Sequence, residues 1–186
     1  MDTLTAIMSR ASAVRLGEPA PTAEQLQAIL DAATMAPDHG RFEPWRFVVL
    51  QGRDREILGN AMADLLRRAF PDTSGTFLAR EAAKPLRAPT IIVAAASIRD
   101  SENVPEIEQV LAVGAAVQNM FLVAHALGLG AMWKTGPVAY DAPLKLALGL
   151  RAEDHIVAFL YLGAVVGGLP PSRPRSHDVV LSLPQA

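Results

Sequence analysis

The chain has 186 residues, is 51% hydrophobic, carries a formal net charge of -2 and contains no cysteine. That length favours one domain, 1–186, and suffices to bury a full core without staples. The missing cysteines exclude disulfides, thiolate catalysis, thiolate-bound zinc and iron–sulfur clusters, and the scattered basic residues form no stripe of the kind a nucleic acid needs.

In chain order, Asp2 is placed to cap a first helix with Leu4, Ile7 and Met8 on one face. Residues 10–16 follow as a connector. Thr22 and Gln25 have capping-box spacing, and Leu26, Ile29, Leu30 and Ala33 continue as an amphipathic helix that Pro37 ends. Residues 38–44 form a polar loop and 46–50 a short strand. Asp54 opens a second long helix with Ile57, Leu58, Ala61, Met62, Leu65 and Leu66 in register. Residues 71–75 have turn chemistry, and 90–95 read as a buried strand because Ile91, Ile92 and Val93 are β-branched. Pro105 and Glu106 suit the first turn of a helix running to about Leu127. That helix is apolar nearly all round, which predicts burial on every side and points to a dimer interface. Gln118, Asn119 and His125 interrupt it, so a membrane span is not expected.

Gly128 and Gly130 are natural terminators, and 131–134 form a short strand. Asp141 caps a further helix, with Pro143 in its first turn and Gly149 at its close. Residues 156–162 are the strongest strand signal, and 178–183 a candidate edge strand. The first ten residues carry Asp2 and lack a long apolar run, so the cytoplasm is the expected location.

Gly128-Leu129-Gly130 is not a dinucleotide fingerprint. The third glycine's place is taken by Trp133, and the glycines follow a helix instead of opening one. The four histidines include no metal-binding pair at helical spacing.

Three separated segments carry the functional signal. They are Arg10-Ala11-Ser12-Ala13-Val14-Arg15-Leu16, then Ala36-Pro37-Asp38-His39-Gly40-Arg41-Phe42-Glu43-Pro44-Trp45-Arg46-Phe47, then Gly128-Leu129-Gly130-Ala131-Met132-Trp133-Lys134-Thr135-Gly136. Together, in this order, they resemble the nitroreductase family over nearly the whole chain. The resemblance implies an α+β fold: a central mixed sheet wrapped by helices, in an intertwined homodimer with a swapped C-terminal tail. It also implies an FMN-dependent oxidoreductase. Hydride would pass from NADH or NADPH through the flavin to a small organic acceptor such as a nitroaromatic or quinone. The same fold with other flavin chemistry, or a non-catalytic flavin-binding dimer, is the alternative.

By the same resemblance, Arg10, Ala11 and Ser12 form the phosphate clamp, since arginine presents a planar donor fork to phosphate oxygens. On the residues alone Arg10 reads as a solvated helix-end cation. Met35 and His39 are implied to reach the cofactor from the partner subunit; His39 alone reads as a loop cap for Asp38. Ala131, Met132, Trp133 and Lys134 are implied to run along the flavin, with Gly128 and Gly130 letting the ring approach. Arg173 and Arg175 resemble a basic tail that returns to the phosphate, or are solvated charges.

Three departures stand out. The family's second arginine is Ala11, the basic residue often at the next site is Val14 beside Arg15, and Glu43 stands where glutamine is common. Lys134 is the substitute candidate for tuning the flavin, or else an exposed strand lysine. Glu43 calls for neutralisation by Arg41 or Arg46. Trp45 is expected to pack in the core beneath the strand.

Overall fold

The computed structural model describes residues 1–171. Its helices are α1 (Thr3–Ser9), α2 (Ala23–Thr34), α3 (Arg55–Ala69), α4 (Gly75–Ala82), α5 (Glu106–Ala126) and α6 (Ala142–Ala147). Its strands are β1 (Leu16–Gly17), β2 (Trp45–Gln51), β3 (Thr90–Ala96), β4 (Gly130–Lys134) and β5 (His155–Val165).

The sheet is built around the most β-branched stretch of the chain. Every residue of β3 is buried. β2 pairs with one edge of β3 and β5 with the other, while the far edge of β5 takes β4 and then β1. Side chains alternate between faces, as a pleated strand requires. Ile91 and Val93, with Phe159 and Tyr161 of β5, pack on one face against Leu58 of α3 and Leu144 of α6. Ile92, with Leu160 and Leu162, packs on the other against Ile29 and Ala33 of α2 and Met120 and Ala124 of α5. Each fully buried Ile or Val contributes roughly 1.5–3 kcal/mol over its exposed state, so β3 anchors both layers. All pairings among the described residues are antiparallel. A mixed sheet was expected; the candidate strand at 178–183 and the swapped tail lie outside the described residues.

Local signals act as their chemistry dictates. The Thr22 hydroxyl accepts from the Gln25 N–H, and the Gln25 side chain accepts from the Thr22 N–H, which closes the capping box. Asp2 accepts from the Thr5 N–H. Asp141 sits at the cap position of α6, but its carboxylate is drawn away to Arg68 of α3. Two elements escape the sequence reading. β1 is only two residues long, too short for a period. The start of α4 is hidden in turn chemistry, where the Ser74 hydroxyl accepts from the Phe77 N–H.

α5 corrects one expectation. Its inner face, Val113, Ala116, Val117, Met120 and Ala124, is fully buried. Its outer face is not: Ile107 and Leu111 are 61% and 63% exposed. Leu4 and Met8 of α1 are exposed as well, because α1 buries Ala6 and not its larger apolar side chains. By length and composition α5 would suffice to cross a membrane. Here it covers one face of the sheet.

Candidate functional site

The first and third segments meet. The Ala13 N–H donates to the Ala131 carbonyl at 2.8 Å, and Ala13 is almost fully buried. Just beyond, the Val166 N–H donates to the Arg15 carbonyl, and Leu16 faces Val165 across the β1–β5 ladder. Residues 13–17 are therefore clamped by backbone bonds between the outer edge of β4 and the end of β5. Gly130 makes this approach possible. A Cβ on it would lie 2.5 Å from Leu16 Cδ2, 2.9 Å from Val165 Cγ2 and 3.1 Å from Ala13 Cβ. Its smallness serves the protein's own packing and is not a helix stop. Gly128, at φ +77°, takes the left-handed position after α5.

β4 is bonded to β5 along one edge only. In an antiparallel strand a residue's N–H and C=O point the same way. Since the Ala131 carbonyl faces Ala13, the N–H groups of Ala131 and Trp133 face outward, away from β5. The side chains alternate. Met132 and Lys134 turn into a cleft, whereas Ala131 enters the opposite core layer and the Trp133 indole donates to the Val157 carbonyl at 3.2 Å.

That cleft has a volume of about 400 Å³, within the range of small-ligand sites. Val14, Arg15, Arg87, Met132, Lys134 and Tyr161 line it. The Lys134 ammonium lies 5.2 Å from the centre of the Tyr161 ring. Burial, and then repulsion from Arg87 and Lys84, hold the Lys134 pKa below its usual value. Burial pushes the Tyr161 phenol up to about 12, against an opposing pull from Arg87, so it stays protonated. The sequence reading did not single out Arg87 or Tyr161. One is an arginine between two prolines and the other a tyrosine in an apolar strand, and neither belongs to a motif.

Arg10 sits at the C-cap of α1 with its guanidinium stacked 4.8 Å over the Phe121 ring of α5. Ser9 and His125 are 2.8 Å apart beside it. Ala11 and Ser12 are half-buried between Arg10 and the β4 contact. The departure at Ala11 stands, and Arg173 and Arg175 lie outside the described residues.

The second segment lies elsewhere. Met35, at the C-cap of α2, is 80% exposed. His39 Nδ1 lies 2.6 Å from Glu108 Oε2 at the start of α5. The Asp38 carboxylate, not His39, caps the loop by accepting from the Glu43 N–H at 2.6 Å. Arg46 donates to the backbone carbonyls of Glu43 and Trp45, and neither Arg41 nor Arg46 pairs with the Glu43 carboxylate among the described residues. Trp45 packs against the α2–α5 side of the core, as expected. His39 engages α5 at Glu108 and Arg10 engages it at Phe121, a separation of about 20 Å at 1.5 Å per residue. Within one chain His39 and Arg10 do not share a site.

A family model described as the Nitroreductase family matches residues 7–164. The chain is 42% identical over 163 residues to YdjA of Escherichia coli (strain K12), provisionally named an NAD(P)H nitroreductase; the match covers 88% of each protein. A solved nitroreductase-like family protein from Bacillus cereus superposes with a TM-score of 0.81 at 25% identity, over 98% of this chain and 96% of that one. A Desulfovibrio desulfuricans protein, provisionally called a nitroreductase and solved in complex with FMN, superposes at 0.73 with 28% identity, over 100% and 99%. With a matching model over most of its length and close relatives across the same span, the chain belongs to the nitroreductase family.

Proposed function

We propose that the chain is a single FMN-binding domain that works in the cytoplasm as a homodimeric NAD(P)H oxidoreductase. The observation that carries this reading is the meeting of residues 13–16 with the free edge of β4 around a cleft whose lining includes cations but no carboxylate. The donor set suits the cofactor. Outward N–H groups of Ala131 and Trp133 suit the polar edge of a flavin ring. Arg10, Ala11 and Ser12, which lead into the segment that meets β4, are the residues we assign to its phosphate, and Arg10 has no ion pair among the described residues. FMN, when bound, supplies the hydride chemistry between NADH or NADPH and a small organic acceptor such as a nitroaromatic or quinone. The protein's part is to position, to exclude water and to offer donors, so no acid–base pair is required.

The exposed apolar residues Leu4, Met8, Ile107 and Leu111 suit burial against a second copy. Such a dimer would bring the partner's Met35 and His39 to a site they cannot reach in their own chain. The names of relatives, one of them seen with FMN, support the same reading.

The test is the absorbance spectrum of the purified protein before and after NADPH, with its mass in solution. A yellow dimer that releases FMN on denaturation and bleaches with NADPH is expected. A colourless protein that refuses added FMN, or a monomer that holds flavin tightly, rejects the proposal.

A further inference from the structure

Three arginines converge at the opposite end of the sheet from the cleft beside β4. The strand register brings them together. Arg46 of β2 pairs with Ala95, Ala96 pairs with His155, and Ser97 and Arg99 follow just beyond. Arg151 joins them from the segment between α6 and β5. With Ser97 and Asp154 they line a second cleft of about 390 Å³. Tyr161 of the first cleft faces Ile91, and Ser97 is six positions further along, so the two clefts lie roughly 20 Å apart at 3.3 Å per residue.

Each guanidinium is held by its own chain. Arg46 Nη1 donates to the Trp45 carbonyl at 2.8 Å and to the Glu43 carbonyl at 3.4 Å. The Arg99 guanidinium lies over the Phe42 ring, 5.9 Å from its centre. Arg151 donates to Asp154 through Nε and Nη2 at 2.9 and 2.8 Å, and to the Ile98 carbonyl at 2.8 Å. The charges are matched unequally. The one carboxylate of the lining, Asp154, has a side chain only 3% exposed and is already engaged by Arg151, to which Glu153 adds a second acid at 3.3 Å. Among the described residues Arg46 and Arg99 enter no ion pair. Among the same residues Arg46 Nε and Nη2 and the Arg99 guanidinium have no hydrogen-bond partner. Two unmatched cations on one cleft repel each other until an anion arrives. A guanidinium already fixed by carbonyls or a ring loses little further freedom when it binds. Two unmatched charges call for a dianion, and forks arriving from two elements suit a tetrahedral group whose oxygens all accept.

We propose that this cleft binds a phosphate dianion through Arg46 and Arg99, on a scaffold set by the Arg151–Asp154 pair. Two sources carry that chemistry. One is the 2′-phosphate of NADPH, which NADH lacks. The cleft adjoins the 38–44 loop at Glu43 and Phe42, and that loop belongs to the region assigned above to the partner's cofactor. Bound there, the phosphate makes this cleft the determinant of NADPH over NADH. The other source is free phosphate. Only the first rests on the function proposed above.

The experiment pairs two measurements on wild type, Arg99→Gln and Arg46→Gln. Calorimetry titrates inorganic phosphate into the purified protein at matched ionic strength. Steady-state kinetics compares NADPH with NADH in the FMN-loaded protein. Melting curves check each variant's fold. Arg99→Gln, which removes no ion pair or side-chain hydrogen bond among the described residues, carries the test if Arg46→Gln disturbs its loop. If NADPH fills the site, wild type favours NADPH in kcat/KM. Each variant then loses about tenfold with NADPH, through KM, while NADH stays within about twofold. If free phosphate fills it, phosphate affinity falls about tenfold in the variants and the donor preference does not move. Folded variants that alter neither phosphate affinity nor donor preference overturn the site. A protein that takes up no flavin yet binds phosphate through Arg99 keeps the site and rejects the cofactor reading, so the two failures are distinct.

Discussion

The segment before β1 and the loop before β2 both carry side chains assigned to the proposed site and both lean on α5, but they are held in different ways. Residues 13–17 are fixed by backbone bonds to β4 and β5 and by a glycine that admits no larger residue without displacement. The 38–44 loop rests on the Asp38 cap and on an exposed pair between His39 and Glu108. Arg41 and Glu43 have φ of +55° and +47°, a region side chains enter reluctantly. One half of the proposed site is therefore built into the sheet. The other is a loop whose geometry is maintained locally, at the far end of a helix, where it can serve a neighbouring molecule.

The largest expected effect comes from asking whether the two regions serve the same chain. Arg10→Ala and a variant with the His39 loop replaced should each be nearly inactive as homodimers. After subunit exchange, a heterodimer collects both lesions in one site and leaves the other intact. Random mixing makes roughly a quarter of all sites wild type, and NADPH oxidation should recover towards that fraction. No recovery after verified exchange would mean that both regions act within one chain.

Next comes the rigidity of the first region. Gly130→Ala forces Leu16, Val165 and Ala13 to give way, and overpacking of this kind costs about 1–3 kcal/mol. Urea unfolding should show the loss, and FMN affinity should fall with it. A variant as stable as wild type would show that the junction yields more easily than the contacts imply.

Arg10→Ala separates the clamp from the fold. Its guanidinium covers Phe121 but anchors no backbone, so the melting temperature should change little. FMN binding should weaken by about 1.5–3 kcal/mol, the usual loss for a charge-assisted contact. Equal affinity in a titration of the apoprotein would remove Arg10 from the site.

The smallest effect tests the second region. Glu108→Gln removes the carboxylate that faces His39, and an exposed contact of this kind contributes about 0–1 kcal/mol. Stability should be nearly unchanged, while amide exchange across residues 38–44 should quicken. Unaltered exchange would show that Asp38 alone holds the loop.

By itself the sequence determined what depends on neighbours along the chain. The capping box at Thr22, the burial of Ile91–Val93 and the positive φ after α5 follow from local geometry and hydrophobicity, which a linear pattern records. It also marked the three segments that carry the family resemblance, because each is a compact run of unusual residues. Only the tertiary structure decided which of them meet. Ala13 and Ala131 are joined by a backbone bond that no side chain announces, and Gly130 is small because of Leu16, more than a hundred positions away. Arg87 and Tyr161 are ordinary residues until the sheet carries them to one cleft. The helix read as buried all round keeps Ile107 and Leu111 open, because hydrophobicity records that a face avoids water but not whether its own chain or another copy covers it.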